Sequence, residues 1–312
     1  KVWDDSNNQD GTRPAELTVN LMNGNAVVDT VTLKEANDWS ATVGNLEKKA
    51  GGKDIEYTWT EGSMPEGYKL TDTSKNGTVT TLTNTYAPEK VSITGTKTWN
   101  DANNQDGKRP TSIKINLLAN GNVVKSLDVT AATNWTYSFT DLPKYEAGTE
   151  IKYTVGEEAV ADYETKVEGY NITNTHKPKT LDITGTKTWN DSNNQDGKRP
   201  KSITVNLLAN GIITDTKTVT ADDNWTYSFT DLPKYANGQE ITYTVSEIPV
   251  PEYTTTYNNY DITNSYTPGQ TSASVTKIWV DGENQDGIRP ESITVALLAN
   301  GTPTNKTVTL TA

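Results

Sequence analysis

Cysteine is absent from the 312 residues, and histidine occurs once, as His176. Without cysteine there are no disulfides and no thiol chemistry. With a single histidine there is also no ligand set for a zinc centre, and we expect no metal and no cofactor. Extracellular β-proteins often rely on disulfides, so this chain must draw its stability from elsewhere. Methionine and phenylalanine are scarce, at two each. No apolar run approaches the roughly 18–20 residues of a membrane helix, and no signal peptide is visible. No membrane insertion is expected. Basic residues are outnumbered, with 28 Lys and Arg against 40 Asp and Glu and a net charge of −12. That balance argues against non-specific nucleic-acid binding, which needs a basic footprint. No serine–histidine arrangement or phosphate loop is present.

What the chain does contain is Val, Ile, Leu, Tyr and Trp among plentiful Thr, Asn, Asp and Gly. Such a mixture favours many short strands joined by polar turns. It is also repetitive. "TGTKTWNDANNQDGKRP" at 94–110 returns as "TGTKTWNDSNNQDGKRP" at 184–200, with looser copies at 1–14 and 276–290. The lysines that open these stretches, Lys1, Lys97, Lys187 and Lys277, lie 96, 90 and 90 residues apart. That period is too long for a solenoid, whose repeats run about 20–50 residues, and suits tandem sandwich domains. The expected domains are 1–88, 89–178 and 179–267, followed by a partial repeat at 268–312. Short Pro-bearing joins such as "NTYAPEK" and "NTHKPKT" predict semi-rigid links and a rod-like file. The sequence begins and stops inside this pattern and reads as an excised piece.

In the second repeat, strands are predicted at 92–99, 112–119, 123–130, 135–140, 150–157 and 170–175, with "ANGN" at 119–122 as a hairpin turn. Trp135, Tyr137 and Phe139 share a face, as do Ile113, Ile115 and Leu117. No amphipathic helix of useful length appears. The expected fold is all-β, an antiparallel two-sheet sandwich repeated in tandem.

Period-two alternation also places three polar residues on apolar faces. Lys97 shares a face with Ile93 and Trp99. Glu157 shares one with Ile151, Tyr153 and Val155. Asn174 shares one with Tyr170 and Ile172. Lys187, Glu247 and Asn264 repeat the pattern, as do Lys1, Glu61 and Asn84. Lysine to glutamate spans 60 residues in every complete repeat, and glutamate to asparagine spans 23, 17 and 17.

Burying a bare ammonium and a bare carboxylate costs several kcal/mol each. Burial lowers an amine pKa and raises a carboxyl pKa, so the pair is expected to rest as neutral amine and neutral acid. A neutral amine within reach of a carboxamide can attack its carbonyl carbon. The acid can donate to the carbonyl oxygen and pass protons to the leaving ammonia. The product is a Lys–Asn isopeptide amide. For one isolated lysine, a structural ion pair or an edge-strand guard is the simpler explanation. Three copies at one spacing favour the bond.

These motifs, the Lys-x-Trp first strand, the "NNQDGKRP" loop, "Y-T-V-x-E" and the closing "I-T-N-T/S", resemble the Cna B-type domains of Gram-positive surface adhesins and pilins. The resemblance covers essentially the whole chain. It implies inverse immunoglobulin-like sandwiches that form stalks and hold a ligand-binding head away from the cell wall. It also implies glutamate-promoted isopeptide bonds: Lys1 to Asn84 with Glu61, Lys97 to Asn174 with Glu157, and Lys187 to Asn264 with Glu247. The location implied is the extracellular, cell-wall-anchored surface of a Gram-positive bacterium. The partner would be a host extracellular-matrix protein bound by a separate head, with anchoring through regions outside this chain. Lys277 has no Glu or Asn equivalent and stays unpaired. The chain is then no enzyme beyond one self-directed turnover. The alternative is a binding module whose loops contact a host matrix protein.

Three further features are read as structural. "DSNNQDG" at 191–197 is similar to a calcium loop, but Gly197 falls one place late and Ser202 stands where a glutamate is needed, so a polar turn is expected. The sequons "NWT" at 134–136 and 224–226 and "NIT" at 171–173 fall in predicted strands. Trp3, Trp99, Trp189 and Trp279 are expected to pack in cores.

Overall fold

The computed structural model describes all residues, Lys1–Ala312. They divide into two compact units, Lys1–Asp182 with Phe229–Thr242, and Ile183–Ser228 with Tyr243–Ala312. Apart from three 3-10 turns, every regular element is a strand.

The second repeat, in the first unit, is built from two sheets. One has the order Thr136–Pro143, Lys90–Asn100, Asn171–Thr175, Glu164–Glu168; the other has Asn122–Thr130, Ser112–Ala119, Tyr153–Glu157. The first strand, Lys90–Asn100, alternates as its sequence demands: Thr94, Thr96 and Thr98 face out, while Ile93, Gly95 and Lys97 are buried. The core between the sheets is Ile93, Ile113, Ile115, Leu117, Val129, Tyr137, Phe139, Leu142, Tyr153, Val155 and Ile172. Ile115, Leu117 and Ile172 have no exposed surface; each such side chain contributes about 1.5–3 kcal/mol by leaving water. Gly95 is required by a close approach. A Cβ there would sit 2.0 Å from the Tyr170 carbonyl oxygen and 2.5 Å from the Tyr137 hydroxyl. Its absence lets the Tyr137 hydroxyl reach across the strand and donate to the Tyr170 carbonyl.

Neighbouring strands pair antiparallel with one exception. The first strand and the last strand, Asn171–Thr175, run parallel, with Ile172 opposite Lys97 and Asn174 opposite Trp99. A parallel pair needs a long crossover, and here the crossover is the whole intervening repeat. This pairing brings the two ends of the repeat side by side.

Four details depart from the sequence reading. Trp135 lies outside any strand, in the left-handed region with φ 57° beside Asn134 at φ 51°; a short 3-10 turn at Ala131–Thr133 precedes them. The "NWT" sequons therefore sit in tight turns. Ile151 precedes its strand, which spans Tyr153–Glu157, because Thr149–Glu150 turns back to pair with Tyr145–Glu146. Finally, the edge strand Glu164–Glu168 was not expected, since "ETKVE" is exposed throughout and shows no apolar alternation. The "ANGN" hairpin does form: Asn120 and Gly121 take φ of 50° and 87°, as a two-residue primed turn requires.

The first repeat places Val2–Asp4 parallel to Val79–Thr85, with Lys69–Asn76 on the far side. Its second sheet is Ala26–Lys34, Glu16–Asn23, Tyr57–Glu61. In the third repeat, Thr180–Asn190 lies parallel to Asp261–Ser265 and Ser202–Ala209 is flanked by Ile212–Thr220 and Tyr243–Glu247. The fourth segment forms only a hairpin, Ser292–Ala299 with Thr302–Thr311. Ile278, Val280 and Ile288 are 75%, 97% and 83% exposed, at positions where the third repeat carries the exposed polar residues Thr188, Asn190 and Lys198.

Candidate functional site

Lys97 projects inward from the first strand and Asn174 from the last, two residues beyond the Lys97 partner Ile172 on the same face. Glu157 comes from the opposite sheet, where it pairs with Ile115. The parallel register and the sandwich together set three polar groups in one apolar core. The Lys97 Nζ lies 2.8 Å from Glu157 Oε1, and both side chains are 0% exposed. The same Nζ sits 4.5 Å from the centre of the Trp99 ring, a cation–π contact that partly offsets desolvation. Burial pushes the Lys97 amine below its ordinary range, against the opposing pull of Glu157. Asn174 is fully buried, and neither its amide nitrogen nor its oxygen has a hydrogen-bond partner. An unpaired buried polar group costs about 1–3 kcal/mol, and Asn174 carries two.

The third repeat has the same arrangement: Lys187 Nζ lies 3.0 Å from Glu247 Oε1 and 3.1 Å from Oε2, with both Asn264 amide atoms unpartnered. In the first repeat Lys1 Nζ is 2.8 Å from Glu61 Oε1. There the Asn84 amide donates to Glu61 Oε2 at 3.0 Å, and only its oxygen is left without a partner. Burial likewise lowers the Lys1 and Lys187 amines. The structure thus pairs each predicted lysine with its glutamate and sets each predicted asparagine on the last strand, which runs parallel to the first. Lys277 is different: it is exposed, with its Nζ 4.7 Å from the centre of the Trp279 ring.

The sequence reading missed two residues beside these sets. The Thr165 hydroxyl donates to Glu157 Oε2 at 3.0 Å, and the Thr255 hydroxyl to Glu247 Oε2 at 3.2 Å. Both stand on edge strands, directly opposite Asn174 and Asn264. Only their fixed offset from the asparagine could have revealed them.

The model of the Cna protein B-type domain matches residues 1–85, 93–175, 183–265 and 273–312. The chain belongs to the Cna protein B-type domain family. A collagen adhesin of Staphylococcus aureus is 48% identical over 310 residues, covering 96% of this chain and 26% of the adhesin. The chain therefore spans about a quarter of that relative's length. A crystal structure of two B repeat units of the collagen-binding protein of S. aureus matches with a TM-score of 0.54 and 46% identity, over 99% of this chain and 83% of that one.

Within the Cna B-type repeats, the "NNQDG" loop is engaged internally. Asp101 holds Arg109 through both oxygens, at 2.6 Å and 3.0 Å, and also accepts from the Tyr163 hydroxyl and the Asn104 N–H. Burial alone would raise the Asp101 carboxyl, but Arg109, Asn104 and Tyr163 outweigh it and hold it at about 2. Arg109 lies over Trp99, 5.5 Å from its centre. In the third repeat Asp191 binds Arg199 in the same way, so a guanidinium fills the place a cation would take in the calcium-like stretch.

The loop's second aspartate fastens the link to the next repeat. Asp106 Oδ2 contacts His176 Nε2 at 3.0 Å and accepts from the Lys179 N–H at 2.9 Å. Asp10 does so with Tyr86 and Glu89, and Asp196 with Tyr266 and Gly269. Trp3 and Trp99 pack edge-on against Trp39 and Trp135 and lie against their repeats' cores, whereas Trp279 is 37% exposed.

Proposed function

We propose that these repeats are the stalk of a Gram-positive surface adhesin, each complete repeat closed by its own isopeptide bond. The stalk would be extracellular and held to the cell wall by regions outside this chain. A separate head would bind the ligand, a host matrix protein, as the name of the collagen adhesin suggests for that relative. The repeat boundaries are 1–88, 89–178 and 179–267, with 268–312 as a partial fourth. The observation that carries the reading is the buried carboxamide without partners, repeated beside a dry Lys–Glu pair.

The Lys97 ammonium passes a proton to Glu157 across their 2.8 Å contact. The neutral Nζ attacks Asn174 Cγ, and the new C–N bond forms as the bond to Nδ2 breaks. Glu157 donates to the carbonyl oxygen and relays a proton from Nζ to the departing nitrogen, which leaves as ammonia. One amide remains, and Glu157 ends neutral. The product removes the buried charges and uses the stranded carboxamide. Glu61, Glu157 and Glu247 are the promoting residues; Lys1–Asn84, Lys97–Asn174 and Lys187–Asn264 are the bonds. The chemistry occurs once and acts on no outside substrate.

Lysine and asparagine lie on adjacent parallel strands at the two ends of a repeat. Tension entering along the first strand would pass through the amide to the last, bypassing the strands between. Intact mass under denaturing conditions tests the reading: each bond removes about 17 Da as ammonia. Three bonds are expected, and a mass equal to the plain sequence refutes them.

A further inference from the structure

The promoting glutamate must hold one oxygen toward lysine, take up a proton and keep it. In the second and third repeats its other oxygen, Oε2, has a hydroxyl partner from the edge strand: Thr165 at 3.0 Å and Thr255 at 3.2 Å. A threonine hydroxyl can donate to a carboxylate and accept from a carboxylic acid. It is therefore a partner for Oε2 whether or not that oxygen carries the proton. Its position opposite the asparagine also closes the site at the sheet edge.

The first repeat lacks this hydroxyl. Leu70 stands opposite Asn84, next to a bulge before Asp72, and is 43% exposed. The extra residue in the bulge, Thr71, is engaged with the Thr85 hydroxyl at 2.8 Å. Glu61 Oε2 takes the Asn84 amide instead. An amide whose nitrogen donates to a carboxylate is a poorer electrophile, because that contact pushes electron density toward its carbonyl.

We infer that Thr165 and Thr255 are positioning residues for the promoting glutamates, and that the first repeat, with Leu70 in that register, closes its bond more slowly than the other two. This rests on the isopeptide reading above. Because the threonines sit on edge strands and Thr165 is exposed, valine can replace either without disturbing a core.

The test is a time course of cell-free synthesis of the whole chain. Samples are quenched in acid and digested, and the three cross-linked peptides are quantified by mass spectrometry. Wild type should close repeat 1 several-fold more slowly than repeats 2 and 3. T165V should slow Lys97–Asn174 closure roughly ten-fold, the effect of losing one charge-assisted hydrogen bond, while Lys187–Asn264 closure in the same molecules is unchanged. T165S, which keeps the hydroxyl, should restore the rate, and protease resistance in the same samples should show all variants folding alike. L70T should speed repeat 1. The inference is overturned if T165V closes as fast as wild type, or if T165S is as slow as T165V. Absence of every cross-linked peptide from wild type would refute the bond itself, a separate outcome.

Discussion

Replacing Asn174 with alanine isolates the covalent contribution to stability. It removes the acceptor carboxamide and leaves the Lys97–Glu157 pair at 2.8 Å, so no buried charge loses its partner. The bond from Lys97 to Asn174 spans 77 residues. A cross-link closing a loop of that length restricts the unfolded chain by about 4–5 kcal/mol in the chain-entropy model. The free carboxamide of Asn174 is already consumed in the cross-linked wild type, so its removal brings no offsetting relief. The net destabilisation is then about 4–5 kcal/mol. For a domain of this size each kcal/mol shifts the melting midpoint by about 4–8 °C, so the second repeat should melt roughly 16–40 °C lower. Calorimetry reads this as one transition moving while the other repeats' transitions stay. Mass spectrometry of the same sample should show one ammonia fewer lost than in wild type. An undiminished ammonia loss, or loss of the bond with no shift in melting, would refute the reasoning.

Glu157→Gln should also restore about 17 Da, and should destabilise the repeat more than Asn174→Ala, because the Lys97 ammonium is left buried without a counter-charge, at about 3–5 kcal/mol; equal melting of the two variants would contradict this. Hydrogen bonding to Asp106 holds the His176 imidazole above its ordinary value of 6.5, against some desolvation. The stabilisation from this pair is fully present below 6.5 and lost as pH rises through the raised folded value. His176→Tyr, which copies Tyr86 and Tyr266, should flatten the pH dependence of urea unfolding above pH 6.5, and an unchanged slope counts against the pair. Asp101→Asn should cost about 2–3 kcal/mol by leaving Arg109 with one neutral partner, and should remove the acid sensitivity expected as pH falls from 3.8 toward about 2, as read by the acid unfolding midpoint. Gly95→Ala should cost about 2–3 kcal/mol, since its Cβ would meet the Tyr170 carbonyl oxygen at 2.0 Å; wild-type stability would show that the backbone yields more easily than the packing suggests.

The second sheet's strands were legible because their alternation is strong: Ile113, Ile115 and Leu117 are all buried, as parity requires. The edge strand Glu164–Glu168 was not, because every residue in it faces solvent and its only structural signal is the hydrogen-bonding edge it occupies. Trp135 shares the parity of Tyr137 and Phe139, yet it reaches the core from a left-handed turn. Alternation reports which residues are buried, not which backbone carries them.

Sequence alone determined the repeat, the strand faces and the identity of the three inward polar residues, because these follow from local alternation and a constant offset. It could not determine that the first and last strands pair in parallel. That pairing joins residues 75 apart, and nothing local distinguishes it from an antiparallel alternative. The tertiary structure decided it, and with it the placing of lysine and asparagine on neighbouring strands. The structure also decided that glutamate enters from the opposite sheet and that a threonine on an unrecognised edge strand holds its second oxygen. The chemistry belongs to the residues. Their meeting belongs to the sandwich.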